Sequence, residues 1–273
     1  MAQPVSLACA NIVHGCYRYT SDLLGLAAAV PAHSNPAWTT YKMPIRVENL
    51  VPYLESHPDA AFASYIHEGL CNGFRVGLDY HNATLHKRGA NHPSMFTNAK
   101  DVDNRIADEV MASRLHGLLP PHLKPVAQIS PMGLVPKPHQ VNRFRLNMDL
   151  SHPNGGSVKD GISLRYSSVD VAVDIIRPLG RDTQLVKLDI KDAYRLIPVH
   201  PDDYHLLGIS WRGETYIDLA LPFGLRSAPK IFSTVADLVA WVLHQHCIKH
   251  QPHYLDSYLF LEERNSTNTT PGT

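Results

Sequence analysis

Strand-like segments in the middle of this chain are joined by connections too short to carry it across to a parallel neighbour. Ile129–Val135 and Phe144–Asp149 are separated by the Pro-Lys-Pro-His-Gln-Val-Asn region that starts at Pro136, and Leu207–Trp211 meets Glu214–Leu219 at Arg212-Gly213. A parallel pair needs a crossover of roughly a dozen residues or more, so these segments predict antiparallel, hairpin-like pairing. Gln184–Asp189 reads as a further strand, with Val186, Leu188 and Ile190 on one face and Leu185, Lys187 and Asp189 on the other. Helical periods intervene. Val47, Leu50 and Leu54 recur at i, i+3, i+7, and Pro58 suits the first position of a helix over Asp59–Leu70 that Gly73 would help stop. Val102, Ile106, Val110 or Met111, and Leu115 share a face, with Gly117 where a C-cap glycine belongs. Val169–Arg177 has Ser167 or Ser168 as N-cap and Pro178 to stop it, and a long helix from Pro229 to about His246 carries Ile231, Val235 and Val242 on one side. Intermingled helices and hairpins predict an α+β fold.

At 273 residues the chain has room for one large domain or two small ones, and it needs no disulfide or metal staple. Its 25 Lys+Arg balance 25 Asp+Glu, which excludes a protein that holds nucleic acid by gross charge but leaves room for a local basic groove. Hydrophobic residues make up 44%, against wholesale disorder. Four scattered cysteines without a CxxC pair, an apolar run (Leu23–Val30) far too short to span a bilayer and no positive n-region predict an intracellular, reduced protein. The expected organisation is a loosely ordered segment at 1–44, a helical region at 45–117, a catalytic-type region at 118–261 and a disordered tail at 262–273.

Two carboxylates carry the first chemical signal. Asp189 ends the strand Val186-Lys-Leu-Asp, and Asp256 lies 67 residues later in His253-Tyr-Leu-Asp-Ser-Tyr258. Each is, alone, an ordinary strand-ending turn residue. Side by side at a sheet rim they would repel unless a divalent ion lay between them, as phosphoryl transfer requires. Both sit inside longer strings that occur in order: Leu134-Val-Pro-Lys-Pro with Phe144-Arg-Leu-Asn-Met-Asp-Leu-Ser151; Val186-Lys-Leu-Asp-Ile-Lys-Asp-Ala-Tyr-Arg-Leu-Ile-Pro198; Leu221-Pro-Phe-Gly-Leu-Arg-Ser-Ala-Pro-Lys-Ile-Phe232; and Tyr254-Leu-Asp-Ser257.

In these strings the chain resembles the reverse transcriptases, most closely those of LTR-type and related retrotransposons. The resemblance implies the fingers and palm of a right-hand polymerase, with an antiparallel palm sheet packed on helices. It implies an RNA-directed DNA polymerase that uses two Mg²⁺ ions, a template-primer of RNA or DNA, and dNTPs. Asp189 matches the first metal-binding aspartate, Ile190 a backbone-carbonyl ligand and Asp256 the later aspartate. Asp192 and Ala193 match positions whose backbone N–H groups face the triphosphate, and Tyr194 matches the aromatic gate beneath the sugar. Lys137 and Arg145 are similar to the basic fingers residues that neutralise the triphosphate. The charge pattern agrees on its own terms, since Ser113–Met148 carries five Lys/Arg and no Asp or Glu. Phe223 and Gly224 would lie against nucleotide and template, with Pro222, Ser227, Pro229 and Phe232 completing the motif.

Two departures from the family pattern stand out. Ser257 occupies the position of a second adjacent aspartate, and the sequence stops 13 residues after Phe260, so no thumb is expected. Both point to impaired catalysis or, as the alternative, to a catalytically dead retroelement relic that keeps at most nucleic-acid binding. A third reading comes from His244, His246, Cys247, His250 and His253, a cluster able in principle to ligate zinc but lacking a regular spacing.

Overall fold

The computed structural model describes residues 41–77, 89–117, 128–136, 144–151, 164 and 166–263. Within them the strands form three sheets. One has the order β1 (Leu115–Gly117), β7 (Glu214–Asp218), β6 (Gly208–Trp211), β2 (Ile129–Ser130). A second pairs β3 (Met132–Pro136) with β4 (Phe144–Met148), and a third has the order β5 (Gln184–Asp189), β9 (Ser257–Glu262), β8 (His253–Tyr254). Every pairing is antiparallel except β2 with β6. The mixed helical and antiparallel architecture is the α+β fold expected.

Several boundaries differ from the sequence reading. The single strand expected over 129–135 is two, because Pro131 has no N–H to give to a ladder; the chain leaves the parallel pair with β6 there and re-pairs with β4. The helix expected to run to Leu115 ends at Met111. Ser113 turns the chain with φ +57°, and Leu115 and Gly117 join β1 opposite Asp218 and Tyr216. Gly117 is therefore a strand residue, not a C-cap. Tertiary pairing overrides the helical period here.

The helices are α1 (Val51–Ser56), α2 (Ala60–Asn72), α3 (Pro93–Thr97), α4 (Ala99–Met111), α5 (Val169–Leu179) and α6 (Ala228–Gln245). Asp59, not Pro58, sets the start of α2. Its carboxylate accepts the Phe62 N–H at 3.0 Å, satisfying one of the orphan donors of the first turn. Helix α5 passes Pro178 and ends at Gly180, which takes φ +89°.

One core unites the two halves of the sequence. Leu54, Ile66, Leu70 and Phe74 pack with Ile197, Leu207, Leu221, Ile231, Leu238 and Tyr258. A smaller cluster joins Met95, Val102 and Ile106 to Met132, Leu134, Ile209 and Trp211. The crossing between α2 and the rest is tight. Phe74 donates its N–H to Pro198 O and accepts from His200 N–H, both at 2.9 Å. At Gly73 (φ +89°) a Cβ would lie 2.4 Å from the Val199 carbonyl oxygen. Strand β5, by contrast, is exposed along its whole length at the edge of its sheet.

Candidate active site

Strands β5 and β9 run antiparallel in a six-residue register that ends with Asp189 opposite Ser257. Strands β8 and β9 are joined by a two-residue turn, Leu255-Asp256, in which Leu255 takes φ +52°. The Ile190 N–H donates to the Asp256 carbonyl at 2.8 Å. Asp189 and Asp256, far apart in sequence, thus sit at one end of one strand pair. The Ser257 hydroxyl donates to Asp189 Oδ1 at 2.5 Å, and Lys187 Nζ lies 3.3 Å from the same oxygen. The Ser257 hydrogen bond first, then Lys187, hold the exposed Asp189 carboxyl below its ordinary value, so it is ionised at neutral pH.

Beside this end of the sheet lies a cleft of about 430 Å³, within the range of small-ligand sites. Its lining includes Arg145, Asp192 and Phe223 from the residues expected at the nucleotide site and Asp256 from the expected metal pair, together with Arg105, Glu109, Arg195 and Asp218. Arg145 reaches it from β4, where it is exposed opposite Val135. Lys137 lies outside the described residues.

A chain of ion pairs forms one wall. Arg195 Nη1 donates to both oxygens of Asp218 at 2.7 and 2.8 Å, and also to Ala220 O at 3.2 Å. Arg195 Nη2 meets Glu109 at 2.8 Å. Glu109 also holds Arg114 at 2.9 Å, and Arg114 Nη1 reaches Asp192 at 3.0 Å. Arg195 and Asp218 are buried, so each charge depends on the other. Burial pushes the Asp218 carboxyl up to about 6 against the pull of Arg195. At the far end of the chain the backbone is left-handed at two successive non-glycine residues, Asp192 (φ +63°) and Ala193 (φ +35°). The Arg114 contact fixes the side chain of the first.

Tyr194 is half-buried between two aromatic rings, with Phe223 at 5.3 Å and Phe232 edge-on at 5.3 Å. Burial, with a smaller push from Tyr166, Asp256 and Tyr254, raises its hydroxyl to about 12, so it stays neutral. Gly224 takes φ +93°, and a Cβ there would come 3.4 Å from the Met148 carbonyl oxygen.

Geometry therefore gathers Asp189, Ile190, Asp256 and Ser257 at one strand end, and Arg145, Asp192, Phe223 and Asp256 around one cleft. Sequence reasoning missed Arg105, Glu109, Arg114, Arg195 and Asp218. The available signal was a charge inside an apolar string: Arg195 in Ala-Tyr-Arg-Leu-Ile and Asp218 in Tyr-Ile-Asp-Leu-Ala. Among the described residues no group of three or more His, Cys, Asp or Glu gathers as a metal centre, the histidines around His250 included. There His253 Nε2 instead lies 3.3 Å from Asp237. No described helix is long and apolar enough to cross a membrane.

No family model matches the chain. Over 171 residues it is 26% identical to the retrovirus-related Pol polyprotein from transposon opus of Drosophila melanogaster, a match covering 62% of this chain and 16% of the polyprotein. In fold it is similar to the crystal structure of the prototype foamy virus protease-reverse transcriptase. That superposition has a TM-score of 0.53 at 16% identity and covers 95% of this chain and 30% of the viral one.

Proposed function

We propose, given that the chain carries a retroelement reverse-transcriptase-like domain, that it is the fingers and palm of an RNA-directed DNA polymerase acting on a template-primer and dNTPs. In this reading β5, β8 and β9 are the palm strands and the β3–β4 hairpin belongs to the fingers. The observation that carries it is the meeting of Asp189 and Asp256 at one strand end, with Asp256 also lining the cleft that Arg145 enters. The donors there are hard oxygens: two carboxylates and the Ser257 hydroxyl. They fit Mg²⁺ better than a softer metal. Two such ions, held by Asp189 and Asp256 with the Ile190 carbonyl, would neutralise phosphate charge and acidify the primer 3′-OH when bound.

The protein's own part is positioning and charge. The Ile190–Asp256 backbone bond fixes the spacing of the two aspartates before any ligand arrives. Arg145, with Lys137, supplies cations to the triphosphate oxygens, and the N–H groups of Asp192 and Ala193 supply neutral donors. Tyr194 and Phe223 form an apolar floor for the sugar, and the neutral Tyr194 hydroxyl adds no repulsion to the phosphates. Gly224 brings the backbone close beside Phe223 without strain at a positive φ.

A specific contact favours a second reading, a nucleotide- or nucleic-acid-binding relic without turnover. Ser257 and Lys187 both occupy Asp189 Oδ1, and Ser257 stands where a second carboxylate would complete the cluster. Primer extension on an RNA template with dNTPs and Mg²⁺ separates the two. Extension by the native chain, lost in Asp189→Ala, supports the polymerase. Extension only by Ser257→Asp supports a competent fold silenced at one ligand. If all three are inert, the relic reading stands.

A further inference from the structure

Arg105 is a cation in the cleft without a partner among the described residues. It lies on α4, one turn from the buried Val102 and beside the buried Ile106, and it lines the cleft together with Arg145 from β4. Helix geometry puts Glu109, four residues on, within its reach. That carboxylate is already taken, by Arg114 at 2.9 Å and Arg195 at 2.8 Å. The other cleft carboxylates are similarly engaged, Asp218 by Arg195 and Asp192 by Arg114. Asp256 forms no ion pair with either free arginine, and neither do Asp101 and Asp108, the helical neighbours of Arg105. The ion-pair wall thus engages Glu109, Asp192 and Asp218, leaves Asp256 as the remaining carboxylate of the lining, and leaves two guanidinium groups, from different elements, on one cleft.

Arg105 is partly buried and Arg145 exposed; a guanidinium drawn even partly out of water gains from an anion, and its planar fork matches phosphate oxygens. We propose that Arg105 is a phosphate-binding residue that acts with Arg145 as a two-arginine site for the phosphates of a nucleoside triphosphate. The inference rests on the reading of this cleft as the nucleotide site. Its chemistry, a phosphate oxyanion between two arginines, would also suit the backbone of a bound strand, so the test separates the two sources.

Titration calorimetry with inorganic tripolyphosphate, dTTP and a primer-template duplex, on the full chain in chelator, makes that test. Arg105→Gln and Arg145→Gln should each weaken tripolyphosphate and dTTP binding roughly tenfold or more, the usual size of a lost charge-assisted contact. Arg105→Lys should retain part of the affinity, and Arg181→Gln, outside the cleft lining, should change nothing. Circular dichroism checks that each variant is folded. Weakened duplex binding with unchanged dTTP binding upholds the anion site and assigns it to the strand backbone. Unchanged affinity for all three ligands in Arg105→Gln, or no binding of any by the native chain, overturns the proposal. Primer extension reads the polymerase separately. Loss of extension together with Arg105-dependent binding sinks the polymerase alone, and normal extension with Arg105-independent binding sinks this inference alone.

Discussion

Replacing Arg195 by methionine should destabilise the protein by about 3–5 kcal/mol at pH 7, the usual cost of stripping one partner from a buried ion pair. The structure supports the upper part of that range. The Arg195 side chain is 10% exposed and the Asp218 side chain 4%. Methionine fills similar space but removes both bonds to Asp218, the bond to Ala220 O and the pair with Glu109. Glu109 keeps Arg114, whereas among the described residues Asp218 keeps only the Ala220 N–H, a long contact at 3.4 Å. A typical domain has only about 5–15 kcal/mol in total, so the loss is easily read in urea. The pH dependence distinguishes an uncompensated charge from lost packing. Asp218 is raised in the folded protein from 3.8 to about 6, so the stability it contributes is full below 3.8 and is lost as pH rises through that window. Without Arg195 the folded carboxyl rises further. The gap between variant and native protein should therefore be widest at pH 7–8 and narrow toward pH 5, and Asp218→Asn added to Arg195→Met should return much of the loss. A gap below about 1 kcal/mol at pH 7, or one equal at pH 5 and pH 8, would refute the buried-pair account.

Other expectations follow from single contacts. Gly73→Ala should cost about 2 kcal/mol or more in thermal melts, because the residue must hold φ +89° while its Cβ meets a carbonyl oxygen, and an unchanged melting temperature contradicts that crossing. His57 stacks on Phe62 at 4.6 Å and meets Trp241 at 4.9 Å, and burial lowers its pKa below 6.5. Its neutral form is thus favoured on folding. That stability is present above 6.5 and lost as pH falls below it, and an NMR titration of the ring with a midpoint at or above 6.5 would disprove this. Ser257→Ala should let the Asp189 carboxyl rise toward its ordinary value, which carboxyl-carbon NMR reads directly.

What was legible in the sequence was local. The β6–β7 hairpin is signalled by Arg212-Gly213, and both residues take the positive φ that such a tight turn demands (+49° and +86°). Asp189 at the end of an alternating strand and the polar Asp256-Ser257 in an apolar stretch marked the site. The tight Leu255-Asp256 turn was less visible, since leucine is an unusual residue at φ +52°. The ion-pair wall could not be read from spacing. Arg195 and Glu109 are 86 residues apart, and only the folded core brings them together. Strand β1 failed for the opposite reason: its residues continue a helical period, and pairing with β7 decides the outcome.

Strand β5 has a consequence for handling the protein. Among the described residues it is an edge strand with Leu185, Val186 and Leu188 exposed at 54%, 43% and 50%, and Lys187 is the single charge in its interior. Such an edge is a template for another copy of itself, and two of them meeting antiparallel would make a self-complementary pair. Lys187 then guards this edge as well as neighbouring Asp189, so substituting it to probe chemistry should also favour edge-to-edge association, which sedimentation velocity on Lys187→Val would read.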